Sequence, residues 1–165
     1  MDTSFNGTNL STKGFTTYGV TKPLNPKQRQ EIIDVAKRQG AIQAYKKFTG
    51  NQLTIRGVVT GTSPSNLTDN LETLAGFLYS DDDVALIPSD QSDRYWNVQF
   101  LEEVEVRRTE SLALIDLVFT ANDPFAYSVT ADDSDNTITT LDDTFVIANS
   151  GHFYAYPVIT VTFNQ

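Results

Sequence analysis

Ser63-Pro64-Ser65-Asn66-Leu67-Thr68-Asp69-Asn70-Leu71-Glu72-Thr73-Leu74-Ala75-Gly76-Phe77-Leu78 carries the clearest helical signal in the chain and decides how the rest is read. Ser63 can accept a hydrogen bond from the first turn. Pro64 stands at the first helical position, where a missing N–H costs nothing. Leu67, Leu71, Leu74 and Leu78 follow at spacings of four, three and four, which puts them on one face. A stripe of about three turns is too short for a dependable coiled coil. The helix is therefore expected to lie on a sheet with these leucines in the core. Asp81, Asp82 and Asp83 follow, and acidic groups are unfavourable at a helix C-terminus, so the chain has turned into a loop by then.

Outward from this helix the sequence reads as strand. Upstream, Gln52 to Thr60 sets Leu53, Ile55 and Val59 on one face, and Ala41 to Phe48 alternates imperfectly. Gly50-Asn51 lies between these runs and has the composition of a tight hairpin turn. That hairpin would carry Lys46, Lys47 and Arg56 and act as a basic arm. Glu31 to Lys37, with Ile32, Ile33 and Val35, reads as a partly buried strand that ends in an Arg38-Gln39-Gly40 turn. Phe15 to Thr21 reads as a strand, and Pro23 and Pro26 mark a loop after it. Downstream, Val84 to Ile87 is a short strand stopped by Pro88. Arg94 to Arg108 reads as one long strand: Val98, Phe100, Val104 and Val106 share a face with Glu102, and Asn97, Gln99, Glu103, Glu105 and Arg107 lie mostly opposite. Thr109-Glu110 is a tight connection to Leu112–Thr120, which is evenly apolar, as in a strand buried on both faces. Asp123-Pro124 breaks the pattern before two aromatic anchors, Phe125 and Tyr127. Residues 131–143 read as a solvated acidic loop, and Val158 to Phe163 resumes as a strand. The expected fold is mainly β (α+β), an antiparallel β-sandwich or barrel with one flanking helix. The expected division is a domain over residues 1–130 and an acidic loop plus C-terminal strand over 131–165.

The charge is split along the chain. Residues 1–60 hold nine Lys/Arg against three Asp/Glu, net +6, and residues 61–165 hold three against eighteen, net −15, giving the −9 of the whole 165-residue chain. Complementary ends allow identical copies to attract head to tail, which builds rings or filaments. The alternative is neutralisation of one end by the other within a single molecule. Hydrophobic content of 39% suffices for one core, and the absence of cysteine excludes disulfides and thiolate metal sites. Met1-Asp2-Thr3-Ser4-Phe5 has no basic or apolar leader character, and no apolar run approaches the ~18 residues that span a bilayer. No membrane insertion is therefore expected.

Residues that carry chemistry are sparse. The one histidine, His152, lies in a Ser-Gly-His turn, and there is no G-x-S-x-G elbow. Glu102/Glu103 and Asp142/Asp143 are adjacent pairs, which point to opposite faces of a strand and make no acid–base couple. The Asp132–Asp143 loop has Thr137 where a calcium loop needs glycine and Asp143 where it needs glutamate, so it is not an EF-hand. Nucleotide-cradling glycine motifs are absent, and the acidic surplus opposes sequence-specific nucleic-acid binding. No catalytic residue, cofactor or metal is expected. A carbohydrate-binding β-sandwich, using Tyr95, Trp96, Phe153, Tyr154 and Tyr156, is a rival reading.

Four stretches, read in order, resemble the N-terminal domain of the distal tail protein of long-tailed, non-contractile bacteriophages. They are Phe5-Asn6-Gly7-Thr8-Asn9-Leu10, Glu31 to Gly40, the capped helix followed by Trp96 to Val106, and Ala121-Asn122-Asp123-Pro124-Phe125-Ala126-Tyr127. The last is similar to a D-P-[FY]-x-Y signature closing that domain. Gly151 to Thr162 looks like the entry to a second, galectin-like domain, of which only a first strand is present. The resemblance implies a tail-tube-like fold and a structural protein of the virion tail tip. Such proteins form a ring, expected here to be a hexamer, that joins the tail tube to the baseplate, fibre or tip hub and passes double-stranded DNA non-specifically through its lumen. A tail-tube or tube-terminator protein is the close alternative. An acidic lumen repels phosphate, and Asn97, Gln99, Glu103 and Glu105 are the residues expected to line it. Lys46, Lys47 and Arg56 are expected to meet acidic surface on a neighbouring subunit.

Overall fold

Antiparallel strands joined by short turns, with one helix, build the described part of residues 2–130. The structure, a computed structural model, describes residues 2–34, 39, 41–101, 104–130, 137–138, 144, 146–149, 151 and 158–162. The strands β1 (Ser4–Phe5) and β2 (Thr8–Asn9) are joined by Asn6-Gly7, whose φ angles of 49° and 72° are those a tight I′ turn demands. A 3-10 turn over Leu10–Lys13 leads into β3 (Phe15–Thr21). Then come β4 (Gln28–Asp34), β5 (Ala41–Phe48), β6 (Asn51–Thr60) and the helix α1 (Pro64–Leu78). β7 (Val84–Ile87), β8 (Arg94–Val98), β9 (Arg107–Arg108), β10 (Leu112–Ala121) and β11 (Tyr127–Ser128) complete the set. Contacts divide the chain into two units, residues 1–130 and 131–165.

Within the first unit every strand pairing is antiparallel. One sheet has the order β11-β8-β7-β1-β2, a second β3-β6-β10-β9, and β4-β5 form a two-stranded sheet of their own. β6 and β10 pair along their whole length, from Leu112 opposite Thr60 to Ala121 opposite Asn51. Their inward faces supply Leu53, Ile55 and Val59 from one strand and Ala113, Ile115, Leu117, Phe119 and Ala121 from the other, all buried. The five-stranded sheet adds Phe5, Leu86, Trp96 and Val98 to the same core. Phe5 joins the layers: its ring lies 5.4 Å from that of Phe119 and meets Phe77 of α1 edge-on at 5.6 Å.

The helix begins where its sequence says it should. Ser63 Oγ accepts from the Asn66 amide at 3.2 Å, and Asn66 Oδ1 in turn accepts from the Thr62 amide at 3.1 Å. A cap of this kind contributes about 1 kcal/mol. Leu67, Leu74 and Leu78 are buried, and Leu71 packs against the core from its margin. Asp81, Asp82 and Asp83 lie beyond the helix in an exposed loop.

Five sequence expectations are corrected. Gly50-Asn51 is not a hairpin turn between β5 and β6, because among the described residues β5 pairs only with β4 while β6 lies between β3 and β10. β6 gives Leu53, Ile55 and Val59 to the core, whereas the described residues of β5 are exposed. The strand expected to be partly buried over Glu31–Lys37 is β4, Gln28–Asp34, with Ile32 and Ile33 exposed; Val35 to Arg38 and Gly40 lie outside the described residues. Arg94–Arg108 is not one strand: Arg94–Val98 pairs with β7, and Arg107–Arg108 pairs with β10 in the other sheet. The isolated bridge between Gln99 and Thr120 marks the crossing. The alternation continues past Val98 because Phe100 and Val104 still pack against the same core, with Phe100 5.5 Å from Phe119. β10 is buried on one face only, since Leu114 and Asp116 are exposed. Finally, residues 158–162 form no strand, and Val158, Ile159 and Val161 are exposed. A strand needs a hydrogen-bonded neighbour, and there is none among the described residues of 131–165.

Candidate functional site

The feature that stands out from the packed core is the pair β4 and β5. β3 and β6 are antiparallel neighbours, so β4–β5 prolongs their hairpin as an arm. Ile32 (61% exposed), Ile33, Tyr45 and Phe48 put apolar surface on it. Arg29 stands directly opposite Lys47, and Gln30 opposite Lys46. Like charges across a strand pair are destabilising. Among the described residues no carboxylate bridges Arg29, Lys46 or Lys47. Lys47 instead lies over the Tyr45 ring at 6.0 Å.

Three other basic residues of the first third, Lys13, Lys22 and Arg56, are engaged inside the molecule. Lys22 reaches Asp90 and Gln91, both at 2.8 Å, and lies over Trp96 at 5.4 Å. Lys13 lies over Phe77 at 5.2 Å. Arg56, expected beside Lys46 and Lys47, is on the outer face of β6 and pairs with Asp116 of β10 at 3.7 Å. The structure therefore brings Lys46 and Lys47 together and sets Arg56 apart. Arg29, which the sequence reading missed, joins them. Its signal was present only in the register between β4 and β5.

At the base of the arm the segment after β10 is held by its own aspartate. Asp123 Oδ1 accepts from the Phe125 amide at 3.1 Å, and Asp123 Oδ2 accepts from the Tyr127 hydroxyl. Tyr127 stacks on Tyr95 at 5.7 Å, and the Phe125 ring meets Phe48 of the arm edge-on at 5.2 Å. The hydrogen bond to Asp123 is the main reason the Tyr127 pKa rises from 10.0 to about 12; burial, the Asp123 charge and Tyr95 add to it. A pKa raised on folding gives stability that is present below pH 10.0 and is lost as pH climbs towards about 12. In an ultraviolet phenolate titration one of the seven tyrosines should ionise late, and Asp123→Ala should bring it back towards its ordinary value. An Asp123→Ala titration superimposable on that of the parent would mean that the contact does not form in solution.

The proposed lumen set is dispersed. Asn97 is half-buried on β8 opposite Ala85, and Gln99 is half-buried at the bridge between sheets. Glu105 is exposed beside β9 and faces Arg107 at 3.9 Å. Glu103, with Glu102, lies outside the described residues. Of the aromatic residues considered for carbohydrate binding, Trp96 is buried in the core and Tyr95 is covered by Tyr127. Phe153, Tyr154 and Tyr156 lie outside the described residues, as do His152 and all but Thr137 and Ile138 of the Asp132–Asp143 loop. Among the described residues no three His, Cys, Asp or Glu side chains are grouped to hold a metal ion, and no helix is long and apolar enough to cross a membrane.

Comparison with known proteins places the fold and the family. Among solved structures the chain is similar to the Dit protein (gp 19.1) of phage SPP1, described as a paradigm of the hub adsorption apparatus in phages infecting Gram-positive bacteria. The TM-score is 0.68 at 20% sequence identity, over 77% of this chain and 51% of that one. This chain thus matches about half the length of that protein, and the likeness establishes a shared fold. No curated protein sequence matches. The profile of the phage tail protein RIFT-related domain covers residues 8–121, which takes in the strands β3 to β10, the arm and the helix. The chain therefore belongs to the phage tail protein RIFT-related domain family and is a component of the phage tail.

Proposed function

We propose that this tail protein is the distal tail protein of a long, non-contractile phage tail. Copies assemble into a ring of six at the tail tip. The ring joins the tail tube to the tip hub, baseplate or fibre, and double-stranded DNA passes through its lumen without sequence recognition. The arm carries this reading: it is an exposed two-stranded extension with apolar surface and with cations that no described carboxylate neutralises, on a chain whose remaining two-thirds is strongly acidic. A surface of this kind fits the acidic flank of a second copy, and a head-to-tail contact of this type closes into a ring. SPP1 Dit, which shares the fold, is a protein of a hub adsorption apparatus, and this supports a position at the tip over one along the tube.

For the lumen, the acidic balance of residues 61–165 repels DNA phosphate. Glu105 is the expected lining residue that is both described and exposed. Residues 131–165 are read as the entry to a second, galectin-like domain. Negative-stain microscopy and native mass spectrometry at low salt test the assembly. The expected result is a closed six-membered ring. A strictly monomeric protein at high concentration, together with tail tips that show no ring of this subunit, would overturn the proposal.

A further inference from the structure

The geometry points to Asn51 as a positioning residue that sets the direction of the β4–β5 arm by locking its base to the Asp123–Tyr127 segment. Asn51 sits where the long hairpin changes partners. On one side of it Phe48 still pairs with Gln28 of the arm, and Asn51 itself already pairs with Ala121 of β10. The residue is 6% exposed. Oδ1 accepts from the Lys27 amide at 3.0 Å, and Nδ2 donates to the Pro124 carbonyl at 3.1 Å. Lys27 is the residue before β4, and its own carbonyl accepts from the Thr49 amide at 2.8 Å. One amide side chain thus joins three backbone segments: the entry to the arm, its exit, and the chain leaving β10.

The chemistry of the position is demanding. It requires an acceptor at one end and a donor at the other, within a buried side chain. Asparagine supplies both. Aspartate would set a second acceptor oxygen against the Pro124 carbonyl, and leucine would leave the Lys27 amide without its partner. Two further observations bear on the same joint. A Cβ on Gly50 would lie 2.6 Å from the Ala121 carbonyl oxygen, so the arm's exit is pressed onto the β10 backbone. The Phe48 ring meets Phe125 within the segment that Asp123 holds. Among the described residues β4 and β5 pair with no strand outside the arm, so this junction is where the arm's angle is determined. The consequence for assembly rests on the reading of the arm as an intersubunit contact; the positioning itself does not.

The chain has no cysteine, so spin labels report only on introduced sites. Labels at Gln43→Cys on the arm and Glu72→Cys on the exposed face of α1 give a distance distribution in the monomer. With Asn51 present the distribution should be narrow. Asn51→Ala should at least double its width and speed amide exchange at Lys27 by tenfold or more, while exchange at Ile55 and Leu117 in the core sheet stays unchanged. Phe48→Ala, at a half-exposed site, should broaden the distribution in the same direction, and it serves as the readout if Asn51→Ala does not fold. Asn51→Ala should also weaken ring assembly, and a short bis-maleimide bridge across a Phe48→Cys/Phe125→Cys pair should restore it. An unchanged distance distribution and unchanged Lys27 exchange in folded Asn51→Ala would overturn the inference. A broadened arm with undiminished ring formation would uphold the role of Asn51 and overturn the arm as the subunit contact.

Discussion

Leu74→Ala should lower the unfolding free energy by about 2–5 kcal/mol, measured as a fall in the denaturant midpoint at unchanged slope. Leu74 is 3% exposed and faces the core between Leu67 and Leu78. Truncating it removes apolar burial and leaves a cavity that the neighbouring sheets can only partly collapse. For a domain of marginal stability a loss of this size is a large fraction of the total. Glu72→Ala, two positions away on the exposed face, is the matched control and should stay within about 0.5 kcal/mol. Leu71→Ala should fall between the two, since Leu71 packs at the margin of the core. A Leu74→Ala effect no larger than that of Glu72→Ala would mean that the helix does not seat on the sheets, and would turn the leucine stripe into a subunit contact.

Reversing the arm's cations together, Arg29→Glu with Lys46→Glu and Lys47→Glu, should abolish ring assembly and leave a folded monomer. Single exposed ion pairs contribute about 0.2–1 kcal/mol each, so any one reversal should only weaken assembly. Three reversals change attraction into repulsion at every interface of a closed ring. Parent rings should also loosen with salt as the screening length falls from roughly 30 Å at 0.01 M to 3 Å at 1 M. Arg56→Glu provides the contrast. Arg56 lies opposite Asp116 within its own sheet, so its reversal should cost a little monomer stability and leave the rings intact. Size-exclusion light scattering reads all of these proteins. Normal rings from the triple variant would exclude the arm's charge as the binding determinant. Loss of rings from Arg56→Glu alone would show that the outer face of β6 meets the neighbour instead.

The helix was legible in the sequence because its determinants are local. Ser63, Pro64 and the four leucines act within a few residues of one another, and nothing distant is needed to interpret them. The strands β3, β6, β7 and β10 were legible for the same reason, and so was the resemblance to a tail protein, which the family profile over residues 8–121 bears out. Asn6-Gly7 is equally local and is the strongest short hairpin signal in the chain. Pairing was not legible. Gly50-Asn51 has turn composition, yet the glycine is there because the Ala121 carbonyl passes too close for a side chain. The asparagine is there because Lys27 and Pro124 converge on it from 24 and 73 residues away. Arg94–Arg108 alternates like one strand but changes sheets at Gln99, since periodicity records which face meets a core and not which neighbour carries the hydrogen bonds. For the candidate site, sequence alone identified a basic segment and an acidic remainder. Tertiary structure decided which cations are left over: Lys22 and Arg56 are matched by Asp90 and Asp116, and Arg29 joins Lys46 and Lys47 on the arm. Composition fixes how much charge the chain carries, whereas which charges remain for a partner depends on strand register, and that is settled only when distant segments pack.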